Sequence, residues 1–282
     1  MNFEENPSSI KYYVKNYILK NKERFTNKTF IDFPTGNGIT SRLLKEIGAT
    51  PLPFDLFPEY FKIDGLKCER ANIAEGIPVE NSSADYVICQ EGIEHFSDQL
   101  GAFKEFNRVT RKGGGLLMTT PNYSNLRAKM SYFLSESERF NSIIAPNELD
   151  SVWMSEQNIT NEVYYGHIFL IGILKLRCFG KLSGFKIKHI EPTKVKSTSV
   201  IFLILFYPFI LISNWITYKK SLKNDNNFKD SIKKEVYKEI FQLSISPKML
   251  VQSHIFVEFE KEKELNEIAK DLKSDHTEFG TT

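Results

Sequence analysis

The stretch at 30–44, FIDFPTGNGITSRLL, holds the first residues able to do chemistry. Asp32 closes a short apolar run. Pro34, Thr35, Gly36, Asn37 and Gly38 form a turn, and Ile39, Leu43 and Leu44 recur at helical spacing. Strand, glycine-bearing loop and helix, in that order, bring backbone N–H groups and a helix N-terminus to a nucleotide. Pro34 stands where a G-x-G-x-x-G fingerprint has its first glycine, so a dinucleotide loop, another cofactor's loop and a plain turn all stay open. Asp55 lies 19 positions after Gly36 and ends a second apolar run, ATPLPFD. A carboxylate there can accept both hydroxyls of a ribose. A second group, Glu91, Glu94 and His95, follows the run ADYVICQ at 84–90. These side chains can take a proton from a hydroxyl nucleophile, with His95 suited to neutral pH. They can also hold a divalent cation, or simply cap and pack a helix start, and no metal is assigned to them. His167 and Asn122 are candidates for substrate contact, the first equally suited to burial and the second to making a turn.

The elements that must position these residues alternate along the chain. Residues 7–25 read as a helix with Ser8 or Ser9 as its cap. Strands are predicted at the end of 30–32, over 50–55, 67–71, 84–90 and 115–121. A helix over 98–111 is predicted to end at Lys112-Gly113-Gly114-Gly115. A helix over 168–183 and a strand over 184–192 follow, and HIFVEFEK at 254–261 alternates with period two. Strands alternating with helices imply an α/β fold with a mostly parallel sheet covered on both faces. One domain over 1–264 is expected, with an insertion over about 198–248 and a charged, frayed tail at 265–282.

Both NAD(P) and S-adenosylmethionine carry an adenosine ribose, so Asp55 does not choose between them. A pyrophosphate requires close backbone approach through a tight glycine turn. A sulfonium with a methionine tail has no phosphate and favours an acid near its ammonium group, which suits Asp32 and Pro34. D-x-P-x-G-x-G followed by Asp55 resembles a variant of the class I S-adenosylmethionine-dependent methyltransferase loop. GIPVENSSADYVICQEGIEHF at 76–96 is similar to that family's stretch into its fourth strand and E-x-x-E-H, and NRVTRKGGGLLMTTPN at 107–122 to its strand-five segment. GHIFLIGILKLRCFGKLSGF at 166–185 and HIFVEFEK complete the resemblance. It implies a Rossmann-like, doubly wound seven-stranded sheet of order 3-2-1-4-5-7-6 with the last strand antiparallel. It also implies that 32–38 wrap the methionine end and Asp55 holds the ribose. Asn72 would face the adenine amino group, Ile73 would pack on the ring, and Gln90 would line the methionine pocket. Pro34 for Gly and Asn72 for Asp depart from the family pattern.

Lys and Arg number 37 against 35 Asp and Glu, a net +2, so no nucleic-acid field is implied and no protein partner is predicted. The three cysteines are scattered, without metal or disulfide spacing. The N-terminus lacks a signal-peptide pattern, and a cytoplasmic enzyme, peripheral or monotopic on the inner face of the membrane, is expected. Residues 200–218, VIFLILFYPFILISNWITY, approach the roughly 20 apolar residues of a bilayer span. They fall between two strands of one sheet and are flanked by lysines, and Pro208 is expected to kink or break any helix. A membrane-dipping hairpin or in-plane anchor is expected, against a core helix or dimer interface. The expected acceptor is a saccharide or lipid-linked saccharide of surface polysaccharide synthesis. The alternatives are a quinone-type lipid, a nicotinamide-dependent oxidoreductase and a non-catalytic membrane-bound scaffold.

Overall fold

The computed structural model describes residues 3–137, 147, 166–224 and 227–277. Its strands are β1 (Thr29–Asp32), β2 (Thr50–Asp55), β3 (Glu69–Arg70), β4 (Ala84–Gln90), β5 (Thr110–Pro121), β6 (Phe185–Ile190) and β7 (His254–Lys261). They form one sheet of order β3-β2-β1-β4-β5-β7-β6. β1 to β5 pair in parallel, while β7 runs antiparallel to both β5 and β6.

Alternation along the central strands sorts their side chains to two covered faces. Ile31, Val87, Cys89, Leu116, Met118, Ile255 and Val257 pack with α4 (Gln99–Val109) and α6 (Ile173–Leu182). Phe30, Ile88, Leu117 and Phe256 point the other way, onto α1 (Ile10–Lys20), α2 (Lys22–Phe25) and α3 (Ile39–Glu46). Strands buried on both faces read as continuous apolar runs, and the centres of β4 (Val87–Cys89) and β5 (Leu116–Met118) look so in sequence. The predicted 7–25 helix is two helices, α1 with its Ser9 cap and α2, meeting at Asn21.

Parallel strands all end on one edge of the sheet, so Asp32, Asp55 and Gln90 share it. An antiparallel strand begins where its parallel neighbours end, and His254, opposite Pro121, opens β7 on that same edge.

Four expectations need correction. The glycine run does not end α4: the helix stops at Val109, β5 starts at Thr110, and the pairing skips from Ala84↔Thr110 to Tyr86↔Gly115. The extra residues loop out through Gly113 at φ 78°, and a Cβ on Gly114 would come within 2.3 Å of the Asp85 carbonyl oxygen. A bulge in the strand uses the same glycines a helix stop does. The helix expected from 168 starts only at Ile173, capped by Gly172. Pro208 does not break the apolar segment, which lies inside one helix, α7 (Ser197–Asn224). The return toward β7 is made by α8 (Asp230–Ser244) and α9 (Pro247–Val251). Residues 265–275 are not frayed: they form α10 (Leu265–Asp275), begun by a capping box between Glu264 and Glu267.

Asn122 takes the turn role. It is fully buried, and its amide donates to the carbonyls of Met249 and Gln252 at 2.8 and 2.9 Å. Its side-chain oxygen accepts from Ser124 N–H at 2.9 Å. The side chain thus ties the end of β5 to the strap leading into β7, and its complete burial, with both amide hydrogens engaged, excludes substrate contact. Asn122→Ala leaves the Met249 carbonyl and the Ser124 N–H without this partner and the Gln252 carbonyl with only the longer bond from Asn125 at 3.4 Å, a lost partner being worth about 1–3 kcal/mol for a buried group. Urea denaturation should show a loss of roughly 2–4 kcal/mol. An unchanged midpoint would contradict this structural role.

Candidate active site

The loop after β1 is organised around two carboxylates. Asp32 is buried, and the hydroxyls of Thr35 and Ser41 donate to its Oδ2 at 2.8 and 2.6 Å. Asp55 accepts the Gly36 N–H at 2.7 Å on one oxygen and the Phe57 N–H at 2.9 Å on the other. Gly36 (φ 55°) and Gly38 (φ 84°) are in the left-handed region. A Cβ on Gly36 would meet nothing within 4 Å, whereas one on Gly38 would lie 2.4 Å from the Phe61 ring. The backbone at Gly36 is therefore open to a ligand, while that at Gly38 is packed and starts α3.

A cavity of about 590 Å³ is lined by this loop, Asp55, Asn72, Ile73, Gln90, Glu91, His95 and Lys11, a size suited to a small-molecule cofactor. Gln90 accepts from the Thr40 hydroxyl at 2.8 Å, and its Nε2 is buried without a partner. Asn72 uses its side-chain oxygen to accept the Ala74 N–H at 3.1 Å, shaping its own turn. The predicted cofactor set of Asp32, Pro34, Thr35, Gly36, Asn37, Asp55, Asn72, Ile73 and Gln90 thus meets in one cavity. Gly38 stands behind it as the start of α3.

Among the described residues, three carboxylates and a single ammonium, that of Lys11, line the cavity. Burial pushes the Asp32 carboxyl up to about 6, with the hydroxyls of Ser41 and Thr35 opposing and the Asp55 charge adding. Burial likewise raises Asp55 and takes Glu91 to about 7. Such a lining favours a cationic ligand and repels a pyrophosphate. An open backbone at Gly36, an unpartnered amide at Gln90 and surplus negative charge fit S-adenosylmethionine.

The E-x-x-E-H residues separate into two groups. Glu91 sits at φ 51°, sparsely populated for a side chain of this type. Its N–H is held by the carbonyl and hydroxyl of Thr119 at 3.1 and 3.2 Å. Its carboxylate accepts the Thr119 hydroxyl at 3.0 Å and faces His254 Nε2 at 3.5 Å. Burial pushes His254 down to about 4, with Lys196 and His167 acting the same way, so it is neutral at pH 7. Glu94 lies in the interior rather than at the mouth. The Thr120 hydroxyl donates to one oxygen at 3.0 Å and the other has no partner. Burial and the Glu91 charge push its carboxyl well above the usual range.

His95 is half-buried, its Nδ1 3.3 Å from the Gly166 carbonyl. A carbonyl only accepts, so Nδ1 carries the proton and Nε2 is the basic nitrogen. His167 stacks obliquely beside it, ring centroids 5.2 Å apart. One ligand atom each from Glu94, His95 and His167 lie within 4.8 Å of one another, a trio able to hold a divalent cation. Glu91 is not part of this trio, because it turns to His254. Sequence reading missed Lys11 and His254. An amphipathic helix accounts for the first and a period-two strand for the second, although the antiparallel direction of β7 was a signal for His254.

Among curated proteins, a ubiquinone biosynthesis O-methyltransferase from Proteus mirabilis is 25% identical over 177 residues, 54% of this chain and 69% of its own length. One from Aliivibrio fischeri is 25% identical over 172 residues, 53% of this chain and 73% of its own. An S-adenosylmethionine-dependent methyltransferase from Mesorhizobium loti shares the fold with a TM-score of 0.52 at 13% identity, over 92% of this chain and 100% of that one. One from Archaeoglobus fulgidus gives 0.52 at 13%, over 92% and 98%. The family model for a methyltransferase domain matches residues 9–188, more than half of the chain. The protein therefore belongs to the S-adenosylmethionine-dependent methyltransferase family.

Proposed function

We propose that the protein methylates a ring hydroxyl of a quinone-type lipid. The observation that carries this reading is the match to relatives named ubiquinone biosynthesis O-methyltransferase. The saccharide acceptor expected first from the sequence has no comparable support. The nicotinamide alternative is disfavoured by the acid-lined cavity, and the scaffold alternative by the family.

Bound S-adenosylmethionine supplies a methyl group already activated on a sulfonium. The chain's own residues then have three tasks. Asp55 holds the ribose and Asp32 the ammonium, with the Gly36–Asn37 backbone against the methionine tail. Ile73 and Asn72 receive the adenine, and Gln90 donates from its unpaired amide. His95 Nε2 takes the proton from the acceptor hydroxyl, Nδ1 staying on the Gly166 carbonyl. Glu91, with His254 beside it, is a second proton acceptor once ionised.

Two outcomes check these roles. Folded Asp32 titrates at about 6 against 3.8 in an open chain. Between those values the folded protein binds more protons than the unfolded chain, so stability falls as pH rises through the window. The shift is worth on the order of 3 kcal/mol at most. Thermal midpoints of the cofactor-free protein should fall from pH 4.5 to 7, and less so in Asp32→Asn. Affinity for S-adenosylmethionine should rise over the same range, because the ionised acid attracts the cation; equal affinity at both ends would remove Asp32 from its role. His95→Ala should lower kcat on a demethylated quinol by about 10²–10⁴-fold, with cofactor affinity kept. A kcat unchanged within threefold would assign the proton elsewhere, and turnover of saccharides but not quinols would refute the acceptor class.

A further inference from the structure

α7 is 28 residues long, roughly 42 Å at 1.5 Å per residue. None of its apolar window is buried. Ile201, Ile204, Leu205, Phe209, Ile212, Trp215 and Ile216 are all between half and three-quarters exposed. At 100° per residue they cover a continuous arc of about 140° along the helix, far broader than a coiled-coil seam. A helix this apolar is ordinarily buried in a protein core or in lipid, and among the described residues no core covers this one.

The other side of α7 is accounted for. α8 packs along it, with the Tyr207 hydroxyl donating to the Ile245 carbonyl at 3.1 Å and Phe241 against Trp215 and Tyr218. The Asn214 amide turns back to the Ile210 carbonyl at 2.8 Å. α8 carries Asp230, Lys233, Lys234, Glu235, Lys238 and Glu239, so it belongs in water. Both ends of the α7–α9 insertion return to neighbouring strands, β6 and β7. α7 therefore cannot cross a bilayer. It can only lie in its surface, α8 side outward.

The charge at the two ends of α7 is of one sign. Residues 192–224 contain five lysines and no Asp or Glu. Lys219, Lys220 and Lys223 stand at the C-terminal end, Lys219 over the Trp215 ring at 4.6 Å. Lys194 and Lys196 stand at the other. Arg127 opens α5 (Leu126–Ser135), its N–H on the Ser199 hydroxyl at 3.2 Å. No ion pair neutralises Arg127, Lys194 or Lys196 among the described residues. Lys194 Nζ donates to the Ser8 hydroxyl, at 2.9 Å.

We propose that the outer face of α7, with this cationic collar, docks the enzyme in-plane on an anionic bilayer and opens its acceptor mouth toward the lipid. The strap at 194–196 links the N-terminal end of α7 to the start of β7. Lys196 N–H bonds the Val251 carbonyl at 2.8 Å and Ser253 N–H the Lys194 carbonyl at 2.7 Å, immediately before His254. The Thr193 hydroxyl also bonds the His254 carbonyl at 2.7 Å. The N-terminal end of the docking face thus adjoins the Glu91–His254 pair, so an acceptor head group reaches the site while its tail stays in the bilayer. The docking is independent of whether that head is a phenol or a saccharide; only the last step rests on a lipid acceptor.

The test adds the purified full chain to preformed phosphatidylcholine vesicles with and without phosphatidylglycerol, and reads co-sedimentation without any acceptor. Binding to the anionic vesicles is expected, at least tenfold weaker with pure phosphatidylcholine. Ile204→Asp combined with Phe209→Asp should abolish it, and Lys219→Glu with Lys220→Glu should weaken it at least tenfold. Both variants should keep the wild-type thermal shift with S-adenosylmethionine, which separates loss of docking from misfolding and from failure of the cofactor reading. Wild-type binding by the Ile204→Asp/Phe209→Asp variant, or no binding by the unaltered chain, overturns the proposal. So does a stable dimer in sedimentation equilibrium that the same substitutions dissociate, which would make this face a contact between copies of the chain.

Discussion

A hydrogen bond from the Gly36 N–H to the Asp55 carboxylate at 2.7 Å joins the loop after β1 to the end of β2, beside the bond from the Thr35 N–H to the Phe54 carbonyl at 3.0 Å. The bond forms because Gly36 holds a left-handed φ and because parallel pairing sets Asp32 beside Pro53, two residues before Asp55. Fixed to this loop, Asp55 lines the cavity. The backbone of 35–37 is held open beside it. The two anchoring hydroxyls on Asp32, from Thr35 and Ser41, close the same loop from below.

Charge then decides what the cavity receives. A dinucleotide and S-adenosylmethionine share adenosine, so a ribose acid and a glycine loop suit both. Three carboxylates against one ammonium do not, since a pyrophosphate would add negative charge to a site already raising its acids toward neutrality. A sulfonium and an ammonium reverse that penalty. The same cavity continues past Gln90 to Glu91 and His95, where a hydroxyl can lose its proton.

Much of this was legible in the sequence, for physical reasons that differ by element. ADYVICQ and HIFVEFEK coincide with β4 and β7, because an apolar run bounded by turn residues and a clean period of two leave few alternatives. The cofactor loop was legible because its residues are adjacent in sequence. The glycine run at 113–115 was misread because one composition serves both a helix stop and a bulge. Asn122 after Pro121 suits a turn or a ligand contact equally, and only the carbonyls of Met249 and Gln252, more than a hundred residues on, decide it. The His95–His167 and Glu91–His254 pairings are likewise long-range, set by topology rather than by any local pattern. Pro208 inside α7 shows a strong local rule yielding: one missing N–H does not stop a helix whose other turns continue on both sides.

The central claim is that an acid-lined Rossmann-like cavity selects a sulfonium nucleoside. The most direct measurement is calorimetric titration of the unaltered chain, at pH 7.5, with S-adenosylmethionine, S-adenosylhomocysteine and NAD in turn. The account predicts saturable one-to-one binding of the first two and none of NAD. Saturable binding of NAD, or of none of the three, would contradict it.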